Sequence, residues 1–140
     1  MIQPVVRAVI SHDNQYLLVK NKGADFWCLP GGKVDDGEPI VDALIREMVE
    51  ETGVQPDVGR LLFVQQLFLP SGMQRLEFFF EVTNGADYLA LDLSKTTHGL
   101  LELDAIGFQN VQAVRVLPEF LATDLPVVGD VPLFKTEIVS

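Results

Sequence analysis

The sequence predicts an α/β fold in which helices pack on the faces of a mixed β-sheet. Short apolar, β-branched runs separated by turn residues occur along most of the chain, and such runs are typical of strands. The segment from Pro39 to Glu51 instead repeats its apolar residues at helical spacing. The 140 residues fit one domain with a real core, so we expect a single domain over residues 1–140.

The first half of the chain is expected to hold three strands followed by a helix. The strands are predicted over residues 5–10, 16–20 and 26–29. Asp13 and Asn14 provide a hairpin turn between the first two strands, and the Pro-Gly-Gly sequence after residue 29 ends the third. Pro39 suits the first turn of the helix because its missing N–H would have no partner there. Gly53 is well placed to end that helix.

The second half is expected to hold a long hairpin, a further strand and a second helix. The strands are predicted over residues 60–69, 75–83 and 102–108. The second helix is expected to begin within 117–121, with Pro118 near its N-terminus. The partly apolar tail, 131–139, is either a final strand or an arm on a partner. A homodimer is an open alternative to a monomer, with this tail as the candidate contact.

The charge and the cysteine content exclude several functional classes. The formal net charge of −10 should repel nucleic acid and anionic membranes, so we expect neither as a partner. A phosphate-bearing ligand would therefore need a bridging cation or a local basic patch. The single cysteine, Cys28, cannot form an internal disulfide, and the start of the sequence has no signal-peptide pattern. No apolar run approaches the ~18 residues of a membrane span, so we expect a cytoplasmic protein.

Three carboxylates share one face of the predicted helix. Glu47, Glu50 and Glu51 are spaced i, i+3 and i+4. Like charges at i, i+4 destabilise a helix by roughly 0.2–0.5 kcal/mol per pair, and the end of the helix disfavours negative charge further. A hard divalent cation that takes oxygen ligands would remove this repulsion. Taken alone, however, the cluster is also explained as a solvated acidic face.

The spacing around this cluster resembles the Nudix box, G-x5-E-x7-R-E-U-x-E-E-x-G-U, in which U is apolar. The matching residues are Gly32, Glu38, Arg46, Glu47, Met48, Glu50, Glu51, Gly53 and Val54. Every specified position matches over residues 32–54. A chance match to seven fixed residue types in a chain of this length is on the order of 10⁻⁶ or less. The chain is therefore similar to the MutT/Nudix family of hydrolases.

The resemblance implies an α/β/α sandwich around a mixed sheet, with the box as a loop–helix–loop. It implies a pyrophosphohydrolase that uses Mg²⁺, with Mn²⁺ as an alternative, and cleaves a nucleoside diphosphate linked to another moiety by water attack on phosphorus. The carboxylate ligands of the cation would be Glu47, Glu50 and Glu51. Gly31 would add its backbone carbonyl, and Glu38 would orient the helix through Arg46.

The general base is left open between two places. Glu50 or Glu51 on the helix could remove the proton from the water. Among downstream residues Glu102 is the best candidate, because it stands six residues before Phe108 and resembles the acidic residue that precedes an aromatic in the family. An ordinary exposed strand residue explains Glu102 equally well. The runners-up are Glu77 and Glu81.

The expected substrate contacts are Arg7, Lys20, Phe80 and Pro70. Arg7 and Lys20 are scarce positive charges on the first hairpin, which often lines the nucleotide pocket in the family. Phe80 could stack on a base, although aromatic residues in strands more often belong to the core. Pro70 lies 16 residues after Val54, an offset that resembles the ADP-ribose-hydrolysing branch, and a turn proline is the simpler explanation. His98 is expected to be a plain loop residue.

Two alternatives to an enzyme remain at this point. A catalytically silent Nudix-like module could bind a nucleotide as a sensor, although such a module has no need for all four acidic positions of the box. A plain acidic interaction protein would show no effect of divalent cations on its thermal stability. The substrate itself, a nucleoside triphosphate or a compound of the ADP-ribose or nucleotide-sugar type, is not decided by the motif.

Overall fold

The computed structural model describes residues 1–92, 94, 96 and 98–140. The strands are β1 (Ile2–His12), β2 (Gln15–Asn21), β3 (Gly31–Lys33), β4 (Val58–Phe68), β5 (Gln74–Val82), β6 (Leu103–Gln109) and β7 (Leu133–Ile138). The α-helices are α1 (Ile40–Thr52), α2 (Gly99–Glu102) and α3 (Phe120–Asp124), and 3₁₀ turns cover Gly85–Tyr88 and Leu125–Val127. None of the helices in these described ranges has the length and apolar content needed to span a membrane.

The strands form one mixed sheet in the order β6-β2-β1-β5-β4-β7, which confirms the predicted fold class. The pairs β1–β5 and β4–β7 are parallel, and the other pairs are antiparallel. Strands β1 and β2 pair only next to their turn, where Asp13 and Asn14 adopt φ values of 49° and 61°. Beyond that point β3 pairs with β1, so the segment that carries the first glycines of the box lies at the centre of the fold.

The hairpin predicted at the N-terminus, the helix and the second hairpin are confirmed within a few residues. The predicted strand over 26–29 is wrong as a strand, because this segment makes only isolated bridges, Val19 to Cys28 and Trp27 to Val116. Glu102 ends α2 instead of beginning a strand. The second helix begins after Pro118, at Phe120, and is short.

The C-terminal tail is a strand in this chain. Residues 133–138 form β7 and extend the sheet beside β4, with Phe63 facing Leu133 and Phe68 facing Ile138. As the edge strand of the sheet, β7 pairs through one side of its backbone, with β4. The contact with a second copy and the single domain stay predictions.

Two apolar layers lie on opposite faces of the sheet, as an α/β/α sandwich requires. On one face, Val6, Ala8 and Ile10 of β1 pack with Leu44 and Met48 of α1. On the other face, the core consists of alternate residues of the strands with the C-terminal helical segment, including Val9, Phe63, Phe79, Leu121 and Leu125. Because side chains alternate along β1, this strand contributes residues to both apolar layers.

Helix α1 has the boundaries that its sequence predicts. Pro39 immediately precedes the first helical residue, and the buried side chains that face the sheet include Ala43, Leu44 and Met48. Gly53 ends the helix in the left-handed region, at φ 75°, and its N–H donates to the Val49 carbonyl at 2.9 Å. A residue with a Cβ would be strained there, which explains the glycine.

We expect replacement of Phe63 by alanine to lower the free energy of unfolding by about 3–5 kcal/mol. Phe63 is only 1% exposed, and its ring meets the edges of Phe79 and Phe120 at centroid distances of 6.0 and 5.3 Å. Phe134, which is 62% exposed on β7, is the matched control, and Phe134→Ala should change stability by about 0.5 kcal/mol or less. Urea unfolding of both variants measures the difference, and equal losses would contradict a core built around Phe63.

Candidate active site

The acidic face of α1 borders a pocket of about 410 Å³ beside β1 and β3. We call it the acidic pocket, and the residues that define it here are Arg7, Gly31, Gly32, Glu47, Glu51 and Glu102. The strand β1, the helix α1 and the short helix α2 each contribute one or more of these side chains. The structure therefore brings together residues that are separated by up to about a hundred positions in the sequence.

Gly31 and Gly32 allow the chain to approach both β1 and α1 closely. Gly31 has φ 151°, and a Cβ there would overlap the carbonyl oxygen of Val6 on β1. A Cβ on Gly32 would overlap the carboxylate of Glu47. Glycine is thus required at position 31, where the obstacle is backbone, whereas a side chain at position 32 would displace the Glu47 carboxylate. The role of the Gly31 carbonyl as a metal ligand stays a prediction.

Arg46 connects the loop before α1 with the acidic face. Its Nε and Nη2 donate to the two carboxylate oxygens of Glu38 at 2.8 and 3.0 Å, so the predicted pairing of these two residues is confirmed. Its Nη1 donates to Glu47 at 3.0 Å and to Glu50 at 3.4 Å. These hydrogen bonds hold the pKa of Glu38 below its usual range and raise that of Arg46. The guanidinium is therefore a permanent charge that orients three carboxylates.

Glu51 is the most unusual ionisable group of the pocket. Its side chain is buried, with 5% of the residue exposed, and no described residue donates a hydrogen bond to it. Burial raises the pKa of Glu51 to about 8, and the negative charge of Glu47 adds to this effect more than Glu102 and Glu50 do. Arg7 acts in the opposite direction. Burial also raises the pKa of Glu47, against the hydrogen bond from Arg46.

The donor set of the acidic pocket fits a hard divalent cation. Among the residues that the structure describes, no three acidic, histidine or cysteine side chains lie together as a ready metal group. Glu47 and Glu50 both accept hydrogen bonds from Arg46. The buried, uncompensated Glu51 beside Glu47 supplies oxygen ligands of the kind that Mg²⁺ prefers. The residues present therefore fit the cation that the Nudix box implies.

His98 links the loop that carries Glu102 to helix α1. Its backbone N–H donates to the Glu50 carbonyl at 3.0 Å, and its Nδ1 lies 3.2 Å from a Glu50 carboxylate oxygen. The carbonyl of His98 accepts the N–H of Glu102, which places Glu102 at the rim of the acidic pocket. His98 thus lies in a bend before α2, as expected of a loop residue, and it also contacts helix α1. Nothing in the sequence indicated this contact, because it joins residues 48 positions apart.

A second cavity, of about 250 Å³, adjoins the acidic pocket and shares Arg7, Asn21 and Arg75 with it. We call it the side pocket. Its walls include the apolar side chains of Phe26, Leu29, Phe79 and Leu117. Two polar residues that line it, the buried Gln65 and the exposed Glu137, were not predicted from the sequence. A glutamine within the apolar run of β4 was the one signal for the first of them.

The expected substrate contacts differ in their positions. Arg7 lines both pockets, and its guanidinium donates to Glu77 at 3.4 Å and to the Leu29 carbonyl at 3.3 Å. Lys20 lies over the ring of Trp27, at 5.8 Å. Phe80 packs against the core on the α1 face, and Pro70 is exposed in the turn after β4. Lys20, Phe80 and Pro70 line neither pocket, so the structure does not bring these three residues to the site.

The structure also gives the positions of Glu77 and Glu81, the two less favoured candidates for the general base. Glu77 is buried and lines the side pocket, where it is paired with Arg7. Glu81 lies next to Gly59, outside both pockets. The candidates for the general base that remain near the acidic face are therefore Glu50, Glu51 and Glu102.

We expect the stability of the metal-free protein to fall as the pH rises from about 4.5 toward 8. In that window folded Glu51 keeps a proton that the unfolded chain has lost, so the unfolded state binds fewer protons and stability decreases with pH. Mg²⁺ should raise the melting temperature at pH 8 by favouring the charged carboxylate. Glu51→Gln should flatten the pH dependence and remove most of the Mg²⁺ effect, whereas the exposed control Asp42→Asn should keep both. Thermal melts in chelator and in Mg²⁺ measure this, and identical curves for Glu51→Gln and the parent would refute it.

Known proteins resemble this chain in sequence and in fold. An uncharacterized Nudix hydrolase of Bacillus subtilis is 30% identical over 112 residues, which cover 79% of this chain and 71% of that protein. An ADP-ribose pyrophosphatase of Methanocaldococcus jannaschii is 45% identical over 62 residues, which cover 42% of this chain and 37% of that protein. The chain spans about half or less of the length of several curated relatives that it matches.

The crystal structure of a MutT protein from Bacillus halodurans superposes with a TM-score of 0.75, at 20% identity, over 99% of this chain and 90% of that one. This similarity supports the fold alone. The model of the NUDIX domain matches residues 1–118, which include the glycines, the Arg46 network and all three carboxylates of α1. On this match, together with the geometry of the acidic pocket, the chain belongs to the Nudix family.

Proposed function

We propose that this protein is a pyrophosphohydrolase that depends on a divalent cation, Mg²⁺ or alternatively Mn²⁺, and acts on a nucleoside diphosphate linked to another moiety. The observation that carries the proposal is the buried Glu51 carboxylate beside Glu47, in a pocket that is open to a ligand. Such a group is costly in a folded protein unless a cation or a reaction uses it. The substrate is a nucleoside triphosphate or a compound of the ADP-ribose or nucleotide-sugar type.

The cation would be held by Glu47 and Glu51, with Glu50 as a further ligand and with the Gly31 carbonyl. When bound, it neutralises the diphosphate and lowers the pKa of the attacking water. Arg46 and Glu38 keep the acidic face in position through the bidentate pair at 2.8 and 3.0 Å.

In the reaction the water oxygen forms a bond to phosphorus while the bridging P–O bond breaks. The leaving phosphate keeps the electron pair of that bond, and the proton of the water passes to a carboxylate. We assign this base to Glu102, because Glu47 and Glu51 are used as ligands and Glu50 already contacts Arg46 and His98. Arg7 at the boundary of the two pockets supplies a positive charge to the phosphates.

The names of relatives support the class of substrate. The Methanocaldococcus relative is named an ADP-ribose pyrophosphatase. A UDP-X diphosphatase of known structure is 27% identical to this chain, with a TM-score of 0.65 over 85% of this chain and 56% of that one. Both names describe a nucleoside diphosphate joined to another group, which is the chemistry that an acidic pocket beside an apolar cavity can accept.

We expect Glu51→Gln to lower kcat/KM by about a hundredfold or more, because several kcal/mol of transition-state stabilisation depend on the cation. Asp42→Asn removes the same charge from an exposed position of α1 and should keep full activity. The measurement is product formation from nucleoside triphosphates, ADP-ribose, nucleotide sugars and dinucleoside polyphosphates with Mg²⁺ or Mn²⁺. Unchanged turnover by Glu51→Gln would contradict the proposed metal site. Tight nucleotide binding without turnover of any substrate by the parent protein would instead identify a sensor.

The assignment of the base predicts a different kinetic pattern for Glu102→Gln. Loss of a general base should lower kcat by about 10²–10⁴-fold and change the shape of the pH–rate profile, while Mg²⁺ still raises the melting temperature. Glu119→Gln, an exposed carboxylate near α3, is the control and should behave as the parent protein. Normal kinetics of Glu102→Gln would contradict its role as the base. A base at Glu50 would then require that Glu50→Gln change the pH–rate profile while Mg²⁺ still raises the melting temperature.

A further inference from the structure

The side pocket has an apolar wall and a group of polar side chains that come from three strands. Strand pairing places Leu67 of β4 between Glu137 of β7 and Arg75 of β5. One row further along β4, Gln65 lies opposite Glu77. Residues two positions apart on a strand point to the same face, so these side chains all face the side pocket. The C-terminal strand therefore completes this cavity.

The orientation of the Gln65 amide follows from its neighbour. Its Nε2 donates to a carboxylate oxygen of Glu137 at 3.1 Å. A carboxylate only accepts, so the amide nitrogen must face Glu137 and the amide oxygen must face away. Gln65 is 2% exposed, and its Oε1 has no hydrogen-bond partner among the residues described. A buried acceptor in this state costs stability unless a ligand satisfies it.

Two further polar groups line the side pocket, the exposed carboxylate of Glu137 and the guanidinium of Arg75. Glu137 shares one carboxylate oxygen with Gln65, and its second oxygen makes no hydrogen bond to a described residue. The Nε of Arg75 is buried and, within the described part of the chain, has no hydrogen-bond partner. The polar groups of the pocket are therefore a buried acceptor on Gln65, a buried donor on Arg75 and a second acceptor on Glu137 at the exposed edge.

We propose that the side pocket binds the base of the nucleotide and that Gln65 and Glu137 are its specificity-determining residues, selecting guanine. This proposal rests on the function proposed above, because it places the phosphates in the acidic pocket, which shares Arg7 and Arg75 with the side pocket. The cavity of about 250 Å³ is small compared with typical ligand pockets of roughly 300–1,000 Å³, so it suits one ring system.

The donor and acceptor pattern favours guanine over adenine. Guanine carries two adjacent donors, N1–H and the N2 amino group, next to the O6 acceptor. The donors match Gln65 Oε1 and the Glu137 carboxylate, and O6 matches the Arg75 donor. Adenine offers one amino donor beside a ring acceptor, and that acceptor would face a carboxylate without a hydrogen bond. A site built to hydrogen-bond a donor discriminates strongly against a base that lacks it.

The Gln65–Glu137 hydrogen bond could instead serve only to hold β7 against β4. Both explanations predict some loss of stability when either residue is replaced, so stability does not separate them. The ratio of affinities for two bases does, because a purely structural contact affects all bases alike. Guanine and hypoxanthine are the sharpest pair for this purpose, since they differ only in the N2 amino group.

The test measures binding of GMP, IMP and AMP by calorimetry and kcat/KM for GTP, ITP and ATP with Mg²⁺. For the parent protein we expect a preference for guanine over hypoxanthine of about tenfold, and a larger preference over adenine. Glu137→Gln and Gln65→Leu should bring the guanine-to-hypoxanthine ratio close to one. Thr136→Ala, next to Glu137 on β7 but directed to the opposite face, is the control and should keep the parent ratio.

Different results test the selection of guanine by the side pocket and the proposed hydrolase activity. Turnover without a guanine preference, or a preference that Glu137→Gln leaves intact, overturns the base assignment and leaves the hydrolase. If no nucleotide is turned over with Mg²⁺ or Mn²⁺, the proposed function fails, and the binding ratios alone then decide the base assignment. Equal affinities for GMP and IMP, or no binding of either, overturn it in that case.

Discussion

The site depends on one electrostatic constraint, the repulsion among carboxylates that the fold places on a single face of α1. Glu47 and Glu51 are drawn into the protein by the same helix whose other side packs Leu44 and Met48 against the sheet. The apolar contact fixes the helix, and the carboxylates cannot then move apart. Arg46 compensates part of this charge through Glu47, and it leaves Glu51 without a described partner. A positive charge at this face, such as that of a cation bound to phosphate, would therefore stabilise the folded chain.

The elements that the sequence predicted well are those specified by local chemistry. Helix α1 follows from apolar spacing and from Gly53, and the first hairpin follows from Asp13 and Asn14 at positive φ. The short separation of Glu38 and Arg46 along the chain made their pairing predictable, because the loop that carries Glu38 leads directly into the helix. Local signals of this kind need no knowledge of which strand lies beside which.

The features that escaped prediction depend on long-range pairing. Gln65 and Glu137 meet across 72 residues because β7 adds to β4 in parallel, and no property of either residue indicates this register. The segment over 26–29 has a strand-like composition, and yet it only bridges β2 and residue 116, because β3 takes the place beside β1. Phe80 resembled a base-stacking residue by type, and strand alternation assigns it to the core face instead.

Arg7, which forms an ion pair with Glu77, lies where the two pockets meet. Arg7 lies at their boundary and is held by Glu77, which is buried on the neighbouring strand, and by the Leu29 carbonyl. An arginine fixed on one side by a buried carboxylate has its remaining donors directed by that contact. It opposes the raised pKa of Glu51 in the acidic pocket while it also lines the side pocket. A ligand that spans both pockets would therefore place its phosphates next to a basic residue that is already oriented between the base site and the carboxylates.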